Sequence, residues 1–326
     1  RNIIGNVPPM RFPEFSGVWK KCTINDLATV VGGGTPDTTV KSYWGGDIQW
    51  FTPSEIGKNK YVDFSKRTIT RDGLDNSSAK LLPLHTILLS SRATVGECSI
   101  ASNECTTNQG FQSLIAKQCN IDFLYYLIQT KKKDLIRNAC GSTFLEISAN
   151  EIRKIKVAVP VQNEQEQIAK LLSLIDERIA TQNKIIEALK LLRDAISGLI
   201  FNSMKNEKTI LLGNVACISN GSGDVQDSDS IKRDGWYPFF DRSEEQKWFP
   251  TYSFNREAII YAGEGQNFFP RYYKGKFALH QRCYAITDFC ECLLPKYCLY
   301  FMNTLNSYFI RNAVGSTVPS LRMDMF

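Results

Sequence analysis

The octapeptide Ile136-Arg137-Asn138-Ala139-Cys140-Gly141-Ser142-Thr143 returns near the other end of the chain as Ile310-Arg311-Asn312-Ala313-Val314-Gly315-Ser316-Thr317. At the same spacing, the helical-looking run 123–130 (FLYYLIQT) aligns with 297–304 (YCLYFMNT). Further matches link Asn108-Gln109 with His280-Gln281 and Leu27-Ala28 with Val215-Ala216. Their spacing is far longer than the roughly 20–50 residues of stacked repeats, so the sequence predicts two duplicated domains.

A long helix is predicted between the two copies. Asn163 and Glu166 have capping-box spacing just after Pro160, and no proline interrupts the sequence from there to about residue 204. Such a helix would be about 60 Å long and could not bury its own apolar seam, so it needs an antiparallel mate or another subunit. The predicted partner-binding residues share the heptad seam: Ile168, Leu172, Ile175, Ile179, Ile186, Leu189, Ile196 and Ile200.

Each copy has the same predicted order of elements. An opening strand (23–30 and 210–219) precedes Gly-rich loops and short strands (48–51, 86–90 and 258–262), and a helix closes the domain (123–138 and 296–312). The predicted fold class is therefore α/β (mixed α+β), with two similar globular domains joined by a long coiled-coil-type helix. We expect the first domain at 1–160, the spacer helix at 161–205 and the second domain at 206–326.

Composition allows several classes of protein and disfavours others. A net charge of +6 permits a polyanionic partner without requiring one. No run approaches the roughly 20 apolar residues of a membrane helix, and residues 1–15 lack a signal-peptide core, so we expect a cytoplasmic protein with no membrane partner. The ten cysteines include no C-x-x-C pair, and only two histidines are present. This pattern favours reduced thiols and no metal site.

Several segments, in their order along the chain, resemble the specificity subunits of type I restriction–modification systems. Gly33-Gly34-Thr35-Pro36 and the segment 43–48 resemble the start of a target-recognition domain in that family. The resemblance also covers these segments: 11–15 with Trp19, Trp50, 87–96, 107–110, 141–143, 157–160, 164–168, 259–265 and 280–281. In the family pattern a second long helix follows the second Gly-Ser-Thr, whereas this sequence ends at Phe326, C-terminally truncated relative to that pattern.

The resemblance implies a non-catalytic subunit that reads a bipartite double-stranded DNA target and directs methyltransferase and restriction subunits to it. It also implies that S-adenosylmethionine, ATP and Mg belong only to those partners, and that the unpaired spacer helix allows self-association. A helix of about 60 Å would correspond to roughly 18 base pairs at 3.4 Å each. The alternative is a stand-alone DNA-binding regulator with the same domains. We predict no catalytic residues, because the sequence contains no phosphate-binding loop or Asn/Asp-Pro-Pro-aromatic tetrad.

Candidate DNA-contacting residues are donors and cations in the divergent middle of each copy, as groove readout and phosphate binding require. In the first domain they are Thr35, Lys41, Tyr43, Lys58, Lys60, Ser91 and Arg92. In the second they are Asn220, Arg242, Lys247, Gln266, Asn267, Arg271, Tyr273, Lys274 and Arg282.

Each of these candidates has a structural alternative. Lys58 and Lys60 are more typical of a solvated loop, and Arg92 could equally brace the fold through a carboxylate. The run 266–276 suits an inserted DNA-contacting loop but could be a surface hairpin. Trp44, Trp50, Phe239 and Phe240 are expected in the core rather than stacked on bases.

Overall fold

The computed structural model describes residues 10–141, 145–203, 209–315 and 317–326. The chain forms two compact units, Arg1–Thr181 (unit 1) and Gln182–Phe326 (unit 2). Both contain helices packed on β-sheets, which confirms the predicted mixed α/β class. The predicted domain limits at 160 and 205 remain a prediction, and residue 205 lies outside the described part, as do Ser142, Thr143 and Ser316 of the repeated octapeptide.

Unit 1 contains ten strands and six helices in the part of the chain that the structure describes. Its strands are β1 Lys20–Thr23, β2 Ala28–Gly32, β3 Trp44–Phe51, β4 Tyr61–Val62, β5 Arg67–Ile69, β6 Ile87–Leu89, β7 Cys98–Ala101, β8 Cys105–Thr107, β9 Gln112–Ala116 and β10 Lys156–Val159. Its helices are α1 Ile24–Leu27, α2 Arg71–Asp75, α3 Ile121–Thr130, α4 Lys132–Arg137, α5 Ala149–Lys154 and the start of α6 Gln162–Ser203. The strands form a sheet β2-β9-β6-β7-β4, a sheet β5-β3-β8 and the pair β1-β10.

In the part of unit 2 that the structure describes, six strands form one sheet. Its strands are β11 Cys217–Asn220, β12 Tyr237–Phe240, β13 Lys247–Phe249, β14 Phe254–Tyr261, β15 Arg271–Leu279 and β16 Tyr284–Thr287, in the order β11-β16-β14-β15-β12-β13. Its helices after α6 are α7 Pro295–Asn303 and α8 Asn306–Asn312. Short 3₁₀ turns lie at Lys41–Tyr43, Pro53–Glu55, Leu212–Asn214, Val225–Asp227 and Met323–Met325.

The described residues of the repeated octapeptide, 136–141 and 310–315, form the same structure in both units. Each copy begins in the last turn of α4 or α8, and its fifth residue then makes a reciprocal main-chain pair with a residue beyond the repeat: Cys140 bonds with Glu146 in both directions at 2.9 Å, and Val314 bonds likewise with Ser320 at 2.9 and 2.8 Å. The next residue, Ile147 in unit 1 and Leu321 in unit 2, donates its N–H back to the loop that follows the central strand. The sequence repeat is therefore a repeat of main-chain hydrogen bonds.

A parallel strand pair also recurs at matching positions. In unit 1 Phe51 of β3 lies beside Thr107 of β8, and in unit 2 Phe240 of β12 lies beside Leu279 of β15. The following N–H groups, those of Asn108 and His280, donate to the carbonyls of Phe51 and Phe240 at 3.0 and 2.9 Å. These bonds align the two units residue by residue around the loops that carry the candidate site.

The two units differ in how the middle of the sheet is built. β15 runs unbroken for nine residues, so it pairs with both β14 and β12 and joins them in one sheet. In unit 1 the corresponding strand is interrupted at 102–104 into β7 and β8, which leaves two separate sheets. Unit 1 also carries β4 and α2 in this middle region.

Four predicted elements are not continuous: the opening strands 23–30 and 210–219 and the closing helices 123–138 and 296–312. In unit 2 the 3₁₀ turn Leu212–Asn214 lies within 210–219, and β11 begins only at Cys217. The opening strand 23–30 is wrong as one element, because Thr23 and Asp26 form a capping box and start the one-turn helix α1. The closing helices each break into two at a threonine: the Thr130 hydroxyl donates to the Leu127 carbonyl and the Thr304 hydroxyl to the Phe301 carbonyl, both at 2.7 Å. Hydroxyl bonds of this kind compete with the helical ladder.

Each unit has its own apolar core. In unit 1, Ile24, Ile87, Leu114 and Leu124 are fully buried with no exposed surface. In unit 2 the corresponding layer is more aromatic and contains buried Tyr261, Phe268, Tyr284 and Phe309. Trp50, Phe239 and Phe240 are buried, and Trp44 packs against a small core cluster with Trp50. The prediction that these four aromatic residues belong to the core is confirmed.

The start of α6 is anchored in unit 1 by a buried carboxylate. Glu164 is fully buried and accepts hydrogen bonds from Arg11 Nε at 2.6 Å and Trp19 Nε1 at 3.2 Å. This contact raises the pKa of Arg11, because the bound guanidinium is favoured in its charged form. Gln165 donates to the Pro160 carbonyl at 3.0 Å, which fixes the entry of the chain into the helix.

The cysteine prediction holds for most of the chain but not for one pair. Cys290 and Cys292 form a disulfide, with Cα atoms 5.3 Å apart. The expectation of ten reduced thiols is therefore wrong at these two residues, because two cysteines separated by one residue in a loop can reach disulfide geometry without a C-x-x-C motif. Buried thiols have raised pKa values, as for Cys98, where burial raises the pKa to about 12.

Candidate nucleic-acid interface

An open cleft in unit 2 brings three predicted residues together. Arg242, Lys247 and Arg282 line a cavity of about 390 Å³ with Glu264 and His280. Arg242 follows β12, Lys247 begins β13, and Arg282 lies in the turn between β15 and β16. We call this cavity, with these five residues on its walls, the unit 2 cleft. Its three cations and two other polar side chains provide the donors and acceptors that base edges and phosphates require.

Arg271 lies beneath the unit 2 cleft rather than in it. Its Nη1 donates to the Ser243 carbonyl at 2.8 Å, and its Nη2 donates to the Asp241 carbonyl. Burial lowers the pKa of this guanidinium, while nearby groups, Asp241 among them, oppose that shift. Because the bonded carbonyls flank Arg242, Arg271 fixes the loop that carries it. The run 266–276 is also not one loop, since β15 begins at Arg271.

The other unit 2 candidates lie on different parts of the surface. Asn220 donates to the Gln281 carbonyl at 3.3 Å, near the mouth of the unit 2 cleft. Lys274 on β15 forms an ion pair with Glu257 at 3.5 Å, and Tyr273 packs on Phe240. Gln266 and Asn267 are exposed in the loop before β15, where Asn267 accepts a hydrogen bond from Asn306.

In unit 1 the candidates of the Gly-rich loop are mostly uncharged. The Thr35 hydroxyl donates to Gln109 Oε1 at 2.5 Å, beside the turn that corresponds to the one carrying Arg282 in unit 2. Tyr43 is half-buried, and its carbonyl accepts the Thr70 N–H at 2.9 Å. Lys41 is exposed in the adjoining 3₁₀ turn. Thr35 and Lys41 are accessible to a ligand, whereas Tyr43 mainly supports the loop.

Ser91 and Arg92 follow the central strand β6 and behave differently. Ser91 is fully buried, so only its main chain, which donates to the Gly110 carbonyl at 2.8 Å, contributes to the loop. Arg92 is exposed, and its Nε lies 3.8 Å from Glu146 Oε2. The ion pair is solvent-exposed on both sides and therefore weak, so it leaves the guanidinium available.

Lys58 and Lys60 lie in one loop but have different surroundings. Lys58 is exposed, and the described residues offer it no carboxylate within ion-pair distance. Lys60 is mostly buried: its Nζ is 2.7 Å from both Asp122 Oδ1 and Ser173 Oγ and 4.7 Å from the centre of the Tyr126 ring. Lys60 thus ties its loop to α3 and α6, so its ammonium group is already used within unit 1.

Lys58→Ala and Lys60→Ala are expected to have opposite effects. Lys60→Ala should lower the free energy of unfolding by about 1–3 kcal/mol, because a buried charged hydrogen-bond partner is lost, and should leave the salt dependence of DNA binding unchanged. Lys58→Ala should leave stability unchanged and make the log–log salt slope of DNA binding shallower by about 0.9. Urea unfolding and DNA titrations at several salt concentrations measure both quantities. A salt slope changed by Lys60→Ala alone would contradict this assignment.

Two functional candidates were missed from the sequence. Glu264 lies between two arginines in the unit 2 cleft, and Asp241 holds Lys247 through an ion pair of 2.7 Å. Both side chains are acidic, whereas the predicted DNA contacts are hydrogen-bond donors and cations. The sequence did contain a signal for Glu264. The offset between the two copies that aligns Gln109 with Gln281 also aligns Glu264 with Arg92, which is itself a predicted DNA contact.

The predicted seam of α6 is largely open to solvent. Ile168 packs against the core of unit 1, and Leu172 is half-buried. The remaining seam residues are exposed by 46% or more: Ile175, Ile179, Ile186, Leu189, Ile196 and Ile200. A contiguous apolar stripe of this kind on a helix is typical of a surface that binds another protein.

Membrane-spanning helices and metal-binding clusters are two other features that bear on function. In these ranges no helix is both long and apolar enough to cross a membrane. The same residues contain no group of three or more His, Cys, Asp or Glu side chains that could hold a metal ion.

Comparison with known proteins identifies the family. The model of the type I restriction modification DNA specificity domain matches residues 17–191, more than half of the chain. The chain belongs to this family. The MjaIX specificity subunit of Methanocaldococcus jannaschii is 38% identical over 205 residues, which cover 59% of this chain and 46% of that protein. The EcoR124I/EcoR124II specificity subunit of Escherichia coli is 28% identical over 188 residues, 55% of this chain and 45% of that protein.

The matched region thus spans about half the length of these specificity subunits. The fold is also similar to that of solved structures over nearly the whole chain. The type I restriction–modification S subunit from M. genitalium aligns with a TM-score of 0.57 and 16% identity, covering 94% of this chain and 81% of that one. A chain from a study of type I complex assembly and conformational transition aligns with a TM-score of 0.53 and 12% identity, covering 97% and 85%. At these identities the likeness concerns the fold.

Proposed function

We propose that this chain is the DNA-recognition subunit of a type I restriction–modification complex, and that its two units read the two halves of a bipartite duplex target. One observation carries the proposal: both units hold their candidate loops with the same main-chain hydrogen bonds but present different polar groups on them. Gln109 of unit 1 corresponds to Gln281 of unit 2, yet the next residues are Gly110 and Arg282. A shared framework with different side chains suits two different half-sites.

The chain itself is proposed to be non-catalytic. Methyl transfer and cleavage would belong to methyltransferase and restriction subunits, which would bring S-adenosylmethionine, ATP and Mg. The exposed seam of α6 supports assembly, because Ile175 to Ile200 offer an apolar stripe to a second helix or to a partner subunit. With 42 residues, α6 is long enough, at about 1.5 Å per residue, to set a separation between half-sites of one to two helical turns of DNA.

The test is co-purification with type I methyltransferase subunits, followed by mapping of the methylated sites on random-sequence DNA. We expect a stable complex and a motif with two unlike halves separated by a fixed spacer. A palindrome or a single half-site would contradict the assignment of one half-site to each unit. Tight sequence-specific binding by the chain alone, with no complex, would instead favour the stand-alone regulator.

A further inference from the structure

The unit 2 cleft contains a carboxylate shared by two arginines. Glu264 Oε1 accepts a hydrogen bond from Arg282 Nη1, and Glu264 Oε2 lies 4.0 Å from Arg242 Nη1. The Glu264 side chain is 20% exposed, whereas those of Arg242 and Arg282 are 71% and 66% exposed. The carboxylate therefore lies at the base of the group, with one guanidinium extending from each of its oxygens into solvent.

The main chain around all three residues is fixed by hydrogen bonds. Arg242 lies between two carbonyls that the half-buried Arg271 holds. Glu264 pairs with Ser320 across a bridge, and the flanking Gly265 N–H donates to the Pro319 carbonyl at 3.1 Å. Arg282 is in a turn closed by the Cys283 N–H, which donates to the His280 carbonyl at 2.9 Å. With the backbone held, the directions of the two guanidinium groups depend on the carboxylate between them.

Unit 1 has the same framework without this group of charges. The residues that correspond to Arg242, Glu264 and Arg282 are Pro53, Arg92 and Gly110, as the matching main-chain bonds of the two units establish. Unit 1 thus has a single cation where unit 2 has a carboxylate with two cations. The group cannot be needed for the fold that the units share, so its role belongs to unit 2 alone.

We propose that Glu264 determines the specificity of unit 2 by positioning Arg242 and Arg282 against base edges. A guanidinium has five N–H donors, and the carboxylate engages only part of them, so each arginine keeps a free edge for a bidentate contact. The O6 and N7 acceptors of guanine in the major groove match that edge. The carboxylate also cancels one positive charge, which lowers the attraction of the cleft for phosphates of any sequence. This inference rests on the proposed DNA-recognition function.

Glu264→Gln keeps the size of the side chain and removes its charge, so it separates positioning from packing. The experiment uses the full chain with its methyltransferase subunits and three duplexes: the mapped motif, the motif with one half-site scrambled, and the motif with the other scrambled. Glu291→Gln is the control. It makes the same change in charge, but on an exposed loop of unit 2 that lies outside the cleft. Thermal unfolding of each variant is measured alongside.

Glu264→Gln is expected to reduce discrimination at one half-site by roughly 5- to 150-fold, the value of a lost bidentate base contact, and to leave the other half-site unchanged. Non-specific binding should become tighter, with a log–log salt slope steeper by about 1, because a freed arginine can contact a phosphate. Glu264→Asp, which keeps the charge, should recover part of the discrimination. A merely structural role would weaken both kinds of binding together and would not steepen the slope.

Wild-type discrimination in Glu264→Gln would overturn the proposal, as would an effect equal to that of Glu291→Gln. If Glu264→Gln lowers the unfolding temperature, Arg242→Gln and Arg282→Gln decide instead, since both side chains are exposed; each must reduce discrimination at the same half-site. If the wild-type complex prefers no sequence, the proposed function fails and this inference with it. If it recognises a bipartite motif that these variants leave intact, only the role of Glu264 is rejected.

Discussion

Gly263→Ala is expected to lower the free energy of unfolding of unit 2 by about 3 kcal/mol or more. A Cβ atom at this position would lie 1.7 Å from the Arg282 carbonyl oxygen and 2.9 Å from its carbonyl carbon. The residues around the clash cannot easily move apart, because Gly263 accepts the Leu321 N–H at 2.8 Å and Cys283 is bonded to both His280 and Gly221. Chemical denaturation followed by circular dichroism measures the loss.

Gly213→Ala is the matched control in the same unit, because no atom lies within 4 Å of the added Cβ. Its stability should stay within about 0.5 kcal/mol of the wild type or rise slightly. The two variants also test the link between fold and site, since relief of the clash must displace Arg282 from the unit 2 cleft. Equal stability of the two alanine variants would show that the close approach of these two segments is absent in solution.

The main features of the fold could be predicted from local sequence patterns. The repeat of residues 136–143 at 310–317 predicted two similar domains, and its described residues make the same main-chain hydrogen bonds in both units. The heptad pattern predicted a long helix, which lies at Gln162–Ser203. The separation of β5-β3-β8 from the five-stranded sheet of unit 1 could not be predicted in this way. It depends on whether one strand continues through 102–104, and pairing between distant strands decides that.

The residue types of the candidate site could be predicted from the sequence, but the surroundings of each side chain could not. Lys58 and Lys60 have the same side chain two positions apart, yet only Lys60 meets Asp122 once the chain folds. Arg271 has the type expected of a base-reading residue, but its guanidinium is used by two main-chain carbonyls. Glu264 has the opposite charge from a DNA-contacting residue, and its position between two arginines exists only in three dimensions.

The double variant Ile175→Asp, Ile186→Asp is expected to abolish assembly through α6, with at least about a 100-fold loss of affinity for the partner helix or methyltransferase subunit. Both side chains lie on the heptad seam and are 46% and 47% exposed, so in the free chain an aspartate there remains in water. In the assembled seam each carboxylate would be desolvated, at a cost of several kcal/mol, and about 1.4 kcal/mol corresponds to tenfold in affinity. Co-purification and analytical ultracentrifugation measure the loss.

Ala180→Asp with Ala188→Asp provides the control for charge and helix content. Both alanines are exposed on the same helix but lie outside the seam, and each gains the same single negative charge. This control should assemble like the wild type, and far-UV circular dichroism should show equal helix content in both double variants. If the seam variant assembles as well as the control, the partner does not use the stripe from Ile175 to Ile200. If both double variants fail to assemble, negative charge anywhere along α6 prevents assembly, and the apolar seam is not the binding surface.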